Sequence, residues 1–228
     1  MQLIISLIFF SYAHAANITF IGDSHSAVSY GFFHELELAI EPAGHQMFSG
    51  QAICGAGIDR YLSGGANGGC SYPGVTHMDL RNGVATFPSG AGTFVGINSL
   101  MQKSDVVIVQ LGGNHIDALN SVGGLAQQMV RMILSQNKKC IWIGPAALRD
   151  TPKCRSMRRK RENVNTAIAA ALSNSAFLNE FSGRRCTFIN SYTLTEANPS
   201  ASADCRHYAD YSPWVGAIAK DTLTALSQ

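Results

Sequence analysis

Three short segments of this chain hold residue types that could together carry out acyl transfer. Gly22-Asp23-Ser24-His25-Ser26 directly follows the apolar run Asn17–Gly22, which reads as a strand. A serine at the carboxyl end of a strand and ahead of a helix exposes its hydroxyl near free backbone N–H groups. Ser24 or Ser26 would equally suit a helix cap. Near the other terminus, Asp204-Cys205-Arg206-His207 offers what a nucleophilic serine needs. An imidazole must take its proton, and a carboxylate must fix the imidazole tautomer. Two intervening residues let Asp204 and His207 face each other in a turn, with Asp210 as a rival orienting acid. A surface histidine beside an aspartate is the plainer reading. Leu111-Gly112-Gly113-Asn114-His115 follows another apolar run. The Asn114 amide could donate to a developing oxyanion there, or Gly-Gly-Asn could simply turn the chain.

Those segments need a frame, and the apolar pattern supplies one. Asn17–Gly22, a weaker His45–Ser49, Asp105–Leu111, Cys140–Gly144 and Cys186–Asn190 read as strands. Between and after them, 30–40, 118–135, 155–172 and 213–226 read as helices, the last with Pro213 at its start. Such alternation predicts an α/β protein, a three-layer α/β/α sandwich on a central parallel sheet of about five strands. In such sheets functional residues gather beyond the carboxyl ends of the strands, where all three segments fall. The Gly-rich stretch 55–96 breaks the rhythm and is expected to be a long ordered loop.

Met1–Ala15 has a short apolar run, Leu3–Ser11, then the small-x-small Ala13-His14-Ala15, the pattern of a secretory signal peptide. No Lys or Arg precedes the run. Export to the periplasm or the outside is expected, with residues 16–228 as one domain and no transmembrane anchor. A net charge of +2 gives no argument for nucleic acid, and a monomer is expected. Six cysteines in an exported chain read as three disulfides. Cys140 and Cys186 begin neighbouring strands at the same phase, Cys54 and Cys70 would close a local loop, and Cys154 is left for Cys205. Zinc-type spacing is lacking, so neither a metal nor a cofactor is expected.

The four blocks GDS at Ser24, CGAG at 54–57, GGN at Asn114 and DCRH at 204–207 resemble, in order and spacing, those of the SGNH hydrolases, also called GDSL esterases and lipases. The resemblance spans essentially the whole mature chain. It implies an SGNH/flavodoxin-like fold and ester hydrolysis through an acyl-enzyme without metal. The catalytic residues would be Ser24, Asp204 and His207. The oxyanion hole would combine the Ser24 and Gly55 backbone N–H groups (Gly57 being the rival glycine) with the Asn114 side chain. The GDSH and CG pattern resembles an exported bacterial subgroup of that family rather than its familiar lipases. His25 and His115 depart from better-known members, and either could contact substrate or simply pack.

The basic cluster Lys153, Arg155, Arg158, Arg159, Lys160 and Arg161 starts after the fourth strand. It is either a solvated helix face or a contact surface for substrate or an anionic cell-envelope polymer, with Arg155 nearest the catalytic edge. No amphipathic lid is evident, which favours a short acyl group on a polar carrier. The expectation is an O-acetylesterase acting on a carbohydrate or peptidoglycan. The alternatives are a lipase-, lysophospholipase-type or general short-chain esterase, or a silent glycan-binding module on the same fold.

Overall fold

The computed structural model describes residues 15–64, 67–68, 77–199 and 202–228. The expected signal-peptide segment Met1–Ala15 therefore lies outside the described residues, apart from Ala15. Seven strands form the main sheet: β1 (Asn17–Gly22), β2 (Gln46–Ile53), β3 (His77–Arg81), β4 (Val84–Thr86), β5 (Val106–Gln110), β6 (Lys139–Ile143) and β7 (Cys186–Ile189). Their order across the sheet is β4-β3-β2-β1-β5-β6-β7. The five strands β2, β1, β5, β6 and β7 pair in parallel.

The expectation of one long loop over 55–96 is corrected. That stretch contains a helix, α2 (Ile58–Ser63), and an antiparallel hairpin, β3–β4, added to the edge of β2. Its turn is Asn82-Gly83, with φ of 52° and 79°. Two successive positive φ values are the signature of the tight turn that Asn-Gly favours, because its twist matches the flanking strands. The hairpin signal was therefore present, inside a Gly-rich surrounding that masks it.

Helices α1 (Phe32–Ile40), α3 (Leu119–Ser135), α4 (Arg155–Leu172) and α5 (Ser212–Ser227) cover the two faces. Phe20 and Ile18 of β1 point to one side and join Phe32, Phe33, Trp214 and Ile218 of α1 and α5. Ile21 points to the other, with Val107, Trp142, Met129 and Ile168 from β5, β6, α3 and α4. This is the period-2 alternation of a strand buried on both faces. The architecture is a three-layer α/β/α sandwich on a mostly parallel sheet.

Two disulfides join described residues. Cys140 and Cys186 are direct register partners on β6 and β7 and are bonded to each other. Cys154, at the start of α4, is bonded to Cys205, 51 residues on; closing a loop of that length is worth about 4 kcal/mol in the chain-entropy picture. The expected Cys54–Cys70 bridge involves Cys70, outside the described residues.

Candidate active site

The strand order reverses around β1. The chain leaves β1 toward β2 and returns on its other side at β5, so their carboxyl ends open a crevice, the usual ligand position in doubly wound sheets. Ser24 follows β1, Gly55 follows β2 and Asn114 follows β5. Both exits need glycine: Gly55 has φ of 75° and Gly112 has φ of 129°, conformations that disfavour a side chain. These three residues line one cleft with His207, His25 and Arg161, a cavity of about 190 Å³.

The turn carrying Ser24 is tied to β5. Asp23 Oδ1 accepts the His25 N–H at 3.0 Å and the Gln110 side-chain amide at 3.1 Å. Ser26 Oγ donates to Gln110 Oε1 at 3.0 Å. Ser24 is left with its hydroxyl 3.0 Å from His207 Nε2. On its other side His207 Nδ1 lies 2.7 Å from Asp204 Oδ2. Asp204 Oδ1 accepts the backbone N–H of His207 at 2.8 Å and of Arg206 at 2.9 Å, and the Ser202 hydroxyl at 3.0 Å. Partial burial opposes ionisation of Asp204. The bonds from the His207 ring and the two N–H groups outweigh it and hold the carboxyl well below its usual range. A carboxylate only accepts, so Nδ1 carries the proton and Nε2 is the acceptor facing Ser24.

Local backbone explains this turn. Cys205, between acid and histidine, sits at φ of 59°, a left-handed conformation costing a non-glycine residue roughly 1–2 kcal/mol. Its disulfide to α4 holds it there. The rival Asp210 instead accepts the Ser212 N–H at 2.9 Å, at the start of α5.

The remaining expected residues divide. Asn114 lines the cleft, and its amide donates to the Ala56 carbonyl at 2.9 Å; the second amide hydrogen is left for another acceptor. His25 also lines the cleft, but as a buried ring packed 5.6 Å from His207 and 5.2 Å from Tyr208. Burial, then the charges of Arg161 and His207, push its pKa well below the usual value, so it packs against His207 as a neutral ring. Of the two readings open for His115, it takes the packing one and is absent from the cleft lining. It turns away from the cleft, and its Nε2 accepts the Ile58 N–H at 2.8 Å, satisfying an orphan donor at the start of α2. A Cβ on Gly57 would stand 3.0 Å from that nitrogen, so Gly57 makes room for His115. Arg155 is exposed, lies outside the cleft lining and pairs with Asp150 at 3.2 Å, as in the solvated-face reading of the basic run. Most of its neighbours are engaged too, Arg158 with Glu196 at 3.0 Å, Lys160 with Asp117 and Lys153 with the Ala203 carbonyl.

Arg161 is the residue that sequence reasoning misplaced. It is 3 % exposed and donates to the Arg206 carbonyl, the Tyr208 hydroxyl and the Ala146 carbonyl. It therefore grips the chain on both sides of His207. Its signal was the helical period: Arg161, Val164, Asn165, Ile168 and Leu172 are the buried face of α4.

Asp23 is buried, and its Oδ2 has no partner among the described residues. Burial pushes its pKa from 3.8 up to about 6, against hydrogen bonds from His25 and Gln110 and the charges of Arg161 and His207. The fold thus favours the protonated form. That contribution to stability is present below the unfolded value near 4 and is lost as pH rises through about 6. The shift corresponds to roughly 3 kcal/mol. Relative to wild type, Asp23→Asn should gain roughly 2–3 kcal/mol of unfolding free energy between pH 4 and 7.5 in urea titrations. A difference independent of pH would show that Asp23 ionises at no cost.

No protein-family model and no curated protein matches the chain. Solved structures do match. An acetylxylan esterase from Geobacillus stearothermophilus (a catalytic mutant) is 12% identical with a TM-score of 0.59, covering 93% of this chain and 94% of that one. A DUF4886 family protein from Bacteroides uniformis is 15% identical, with TM-score 0.58 and coverage of 93% and 83%. A GDSL-like lipase from Bacteroides thetaiotaomicron is 13% identical, with TM-score 0.54 and coverage of 92% and 87%. At these identities the likeness shows the fold, which is the one the sequence resemblance implied.

Proposed function

We propose that this chain, which has the SGNH hydrolase fold, is a serine esterase that cleaves short acyl esters, acetyl first, from a polar carrier. The observation that carries the proposal is the continuous hydrogen-bonded line Ser24–His207–Asp204 opening into the cleft. In the proposed reaction Ser24 Oγ attacks the ester carbonyl as His207 Nε2 takes its proton, and Asp204 stabilises the resulting imidazolium. The backbone N–H groups of Ser24 and Gly55 and the free Asn114 amide hydrogen receive the oxyanion, each donor contributing about 3–4 kcal/mol. His207 then protonates the departing alcohol, and a water activated by the same histidine hydrolyses the acyl-serine.

The cleft supports the short-acyl preference. At about 190 Å³ it is smaller than most ligand pockets, which run roughly 300–1,000 Å³. Its apolar lining includes Ile116 and Met157, enough for a small acyl group. The acetylxylan esterase in the structural comparison fits this preference. Two disulfides among the described residues suit an oxidising compartment and hence the proposed export. No described helix is long and apolar enough to cross a membrane.

Hydrolysis of p-nitrophenyl esters from acetate to decanoate tests the reading. The kcat/KM should be highest for acetate and at least about tenfold lower by octanoate, one kcal/mol-scale misfit in the cleft being enough for that factor. A maximum at octanoate or decanoate would favour the lipase-type alternative, and no turnover of any ester would favour a binding module.

A further inference from the structure

Around the cleft, one cation stands apart from the others. Arg206 lines the cleft beside Ser24 and His207, and its side chain is exposed. Among the described residues its guanidinium makes no hydrogen bond and no ion pair. Its backbone, by contrast, is fixed at both ends: the N–H donates to Asp204 Oδ1 at 2.9 Å, and the carbonyl accepts from Arg161. Of the acids in or beside the cleft, Asp204 is occupied by His207 and Asp117 by Lys160, while Asp23 is buried and accepts from His25 and Gln110. The α4 cations that pair, Arg155 and Arg158 among them, are held by carboxylates of this chain.

We infer that Arg206 is a specificity-determining residue that receives a carboxylate on the substrate, so that the preferred esters are those of an acidic carrier. This rests on the serine-esterase reading above and names its substrate class. A guanidinium presents its donors as a planar fork that matches a carboxylate bidentately, and it keeps its charge at any working pH. Because the backbone of Arg206 is pinned by the hydrogen bonds that build the triad turn, its fork has a set origin relative to Ser24. A carboxylate a few bonds from the scissile ester can therefore be held while the carbonyl sits over the serine. The interaction would be made as the ester is positioned, and it would weaken with ionic strength, as contacts at an exposed rim do. Of the two arginines that line the cleft, Arg161 is buried and engaged, so recognition of the substrate carboxylate falls to Arg206.

The experiment compares 3-acetoxybenzoate with its neutral amide, 3-acetoxybenzamide, using the full-length mature protein. Within each variant the ratio of the two kcat/KM values is read, so that general losses cancel. Wild type should prefer the carboxylate about tenfold at low salt, and the preference should shrink toward unity in 0.5 M NaCl, where screening is short-ranged. Arg206→Gln should bring the ratio to about one and Arg206→Glu should invert it, while Arg155→Gln, outside the cleft, keeps the wild-type ratio. A wild-type ratio near one, or a ratio that survives Arg206→Gln, overturns the inference. The esterase reading itself would fail differently, through absence of Ser24-dependent hydrolysis of the neutral amide.

Discussion

Ser24→Ala should lower the hydrolysis of p-nitrophenyl acetate by at least about 10⁴-fold and leave the melting temperature within a degree or two of wild type. The two halves of this expectation have separate causes. The Ser24 hydroxyl bonds to His207 Nε2, and the turn around it is held by Asp23, Ser26 and Gln110. Removing one oxygen therefore leaves the turn intact. What remains for catalysis is the oxyanion site and binding, which alone give far less than the full acceleration. Near-normal turnover by the folded variant would end the serine mechanism. A matching fall in melting temperature would mean that the hydroxyl is chiefly structural.

The second large effect concerns the acid. Asp204→Asn should lower kcat about 10³–10⁴-fold, by analogy with the loss seen when a triad aspartate becomes an amide. An asparagine oxygen can still accept the Arg206 and His207 N–H groups that Oδ1 receives. Its NH₂ group would then face His207 Nδ1, which must become an acceptor. The ring proton moves to Nε2, and the nitrogen turned to Ser24 can no longer take a proton. Asp210→Asn supplies the control, because that residue serves the start of α5, and its kcat should change less than about threefold. Equal losses in the two variants, measured alongside circular dichroism, would remove Asp204 from its role.

The parts legible in the sequence were those set by local periodicity. Five apolar runs marked the parallel strands, and the strand-end rule gathered Ser24, Asn114 and the Asp204–His207 turn, while Gly55 came only from the family resemblance. Their neighbours were harder to read. His115 directly follows Asn114, yet its ring turns to the first N–H of α2, a contact 57 residues away that no local pattern encodes. Arg155 and Arg161 stand in one basic run, of which Arg155 was placed nearest the catalytic edge. They lie six residues apart, roughly 120° around a helix of 3.6 residues per turn, so one meets water and Asp150 while the other enters the core. The buried-face period of α4 contained that distinction, but the charge of the run concealed it. The β3–β4 hairpin was hidden in a similar way, its Asn82-Gly83 turn lost among glycines on both sides.

Ser24 and His207 are separated by 183 residues, the proposed nucleophile at the end of the first strand and its proposed base just ahead of the last helix. These two distant segments must therefore meet before the proposed chemistry is possible. During vectorial synthesis or threading through a membrane, the five parallel strands could all be assembled while the 204–228 segment was still held back. Such an intermediate would have its sheet and its serine but no base. Contacts between distant parts of a sequence are also the slow ones to form, since loop closure must precede them. Ester hydrolysis would thus be the last native property to appear during refolding, after the recovery of helical and sheet signals. The onset of turnover is then a clock for the docking of α5 and its preceding turn.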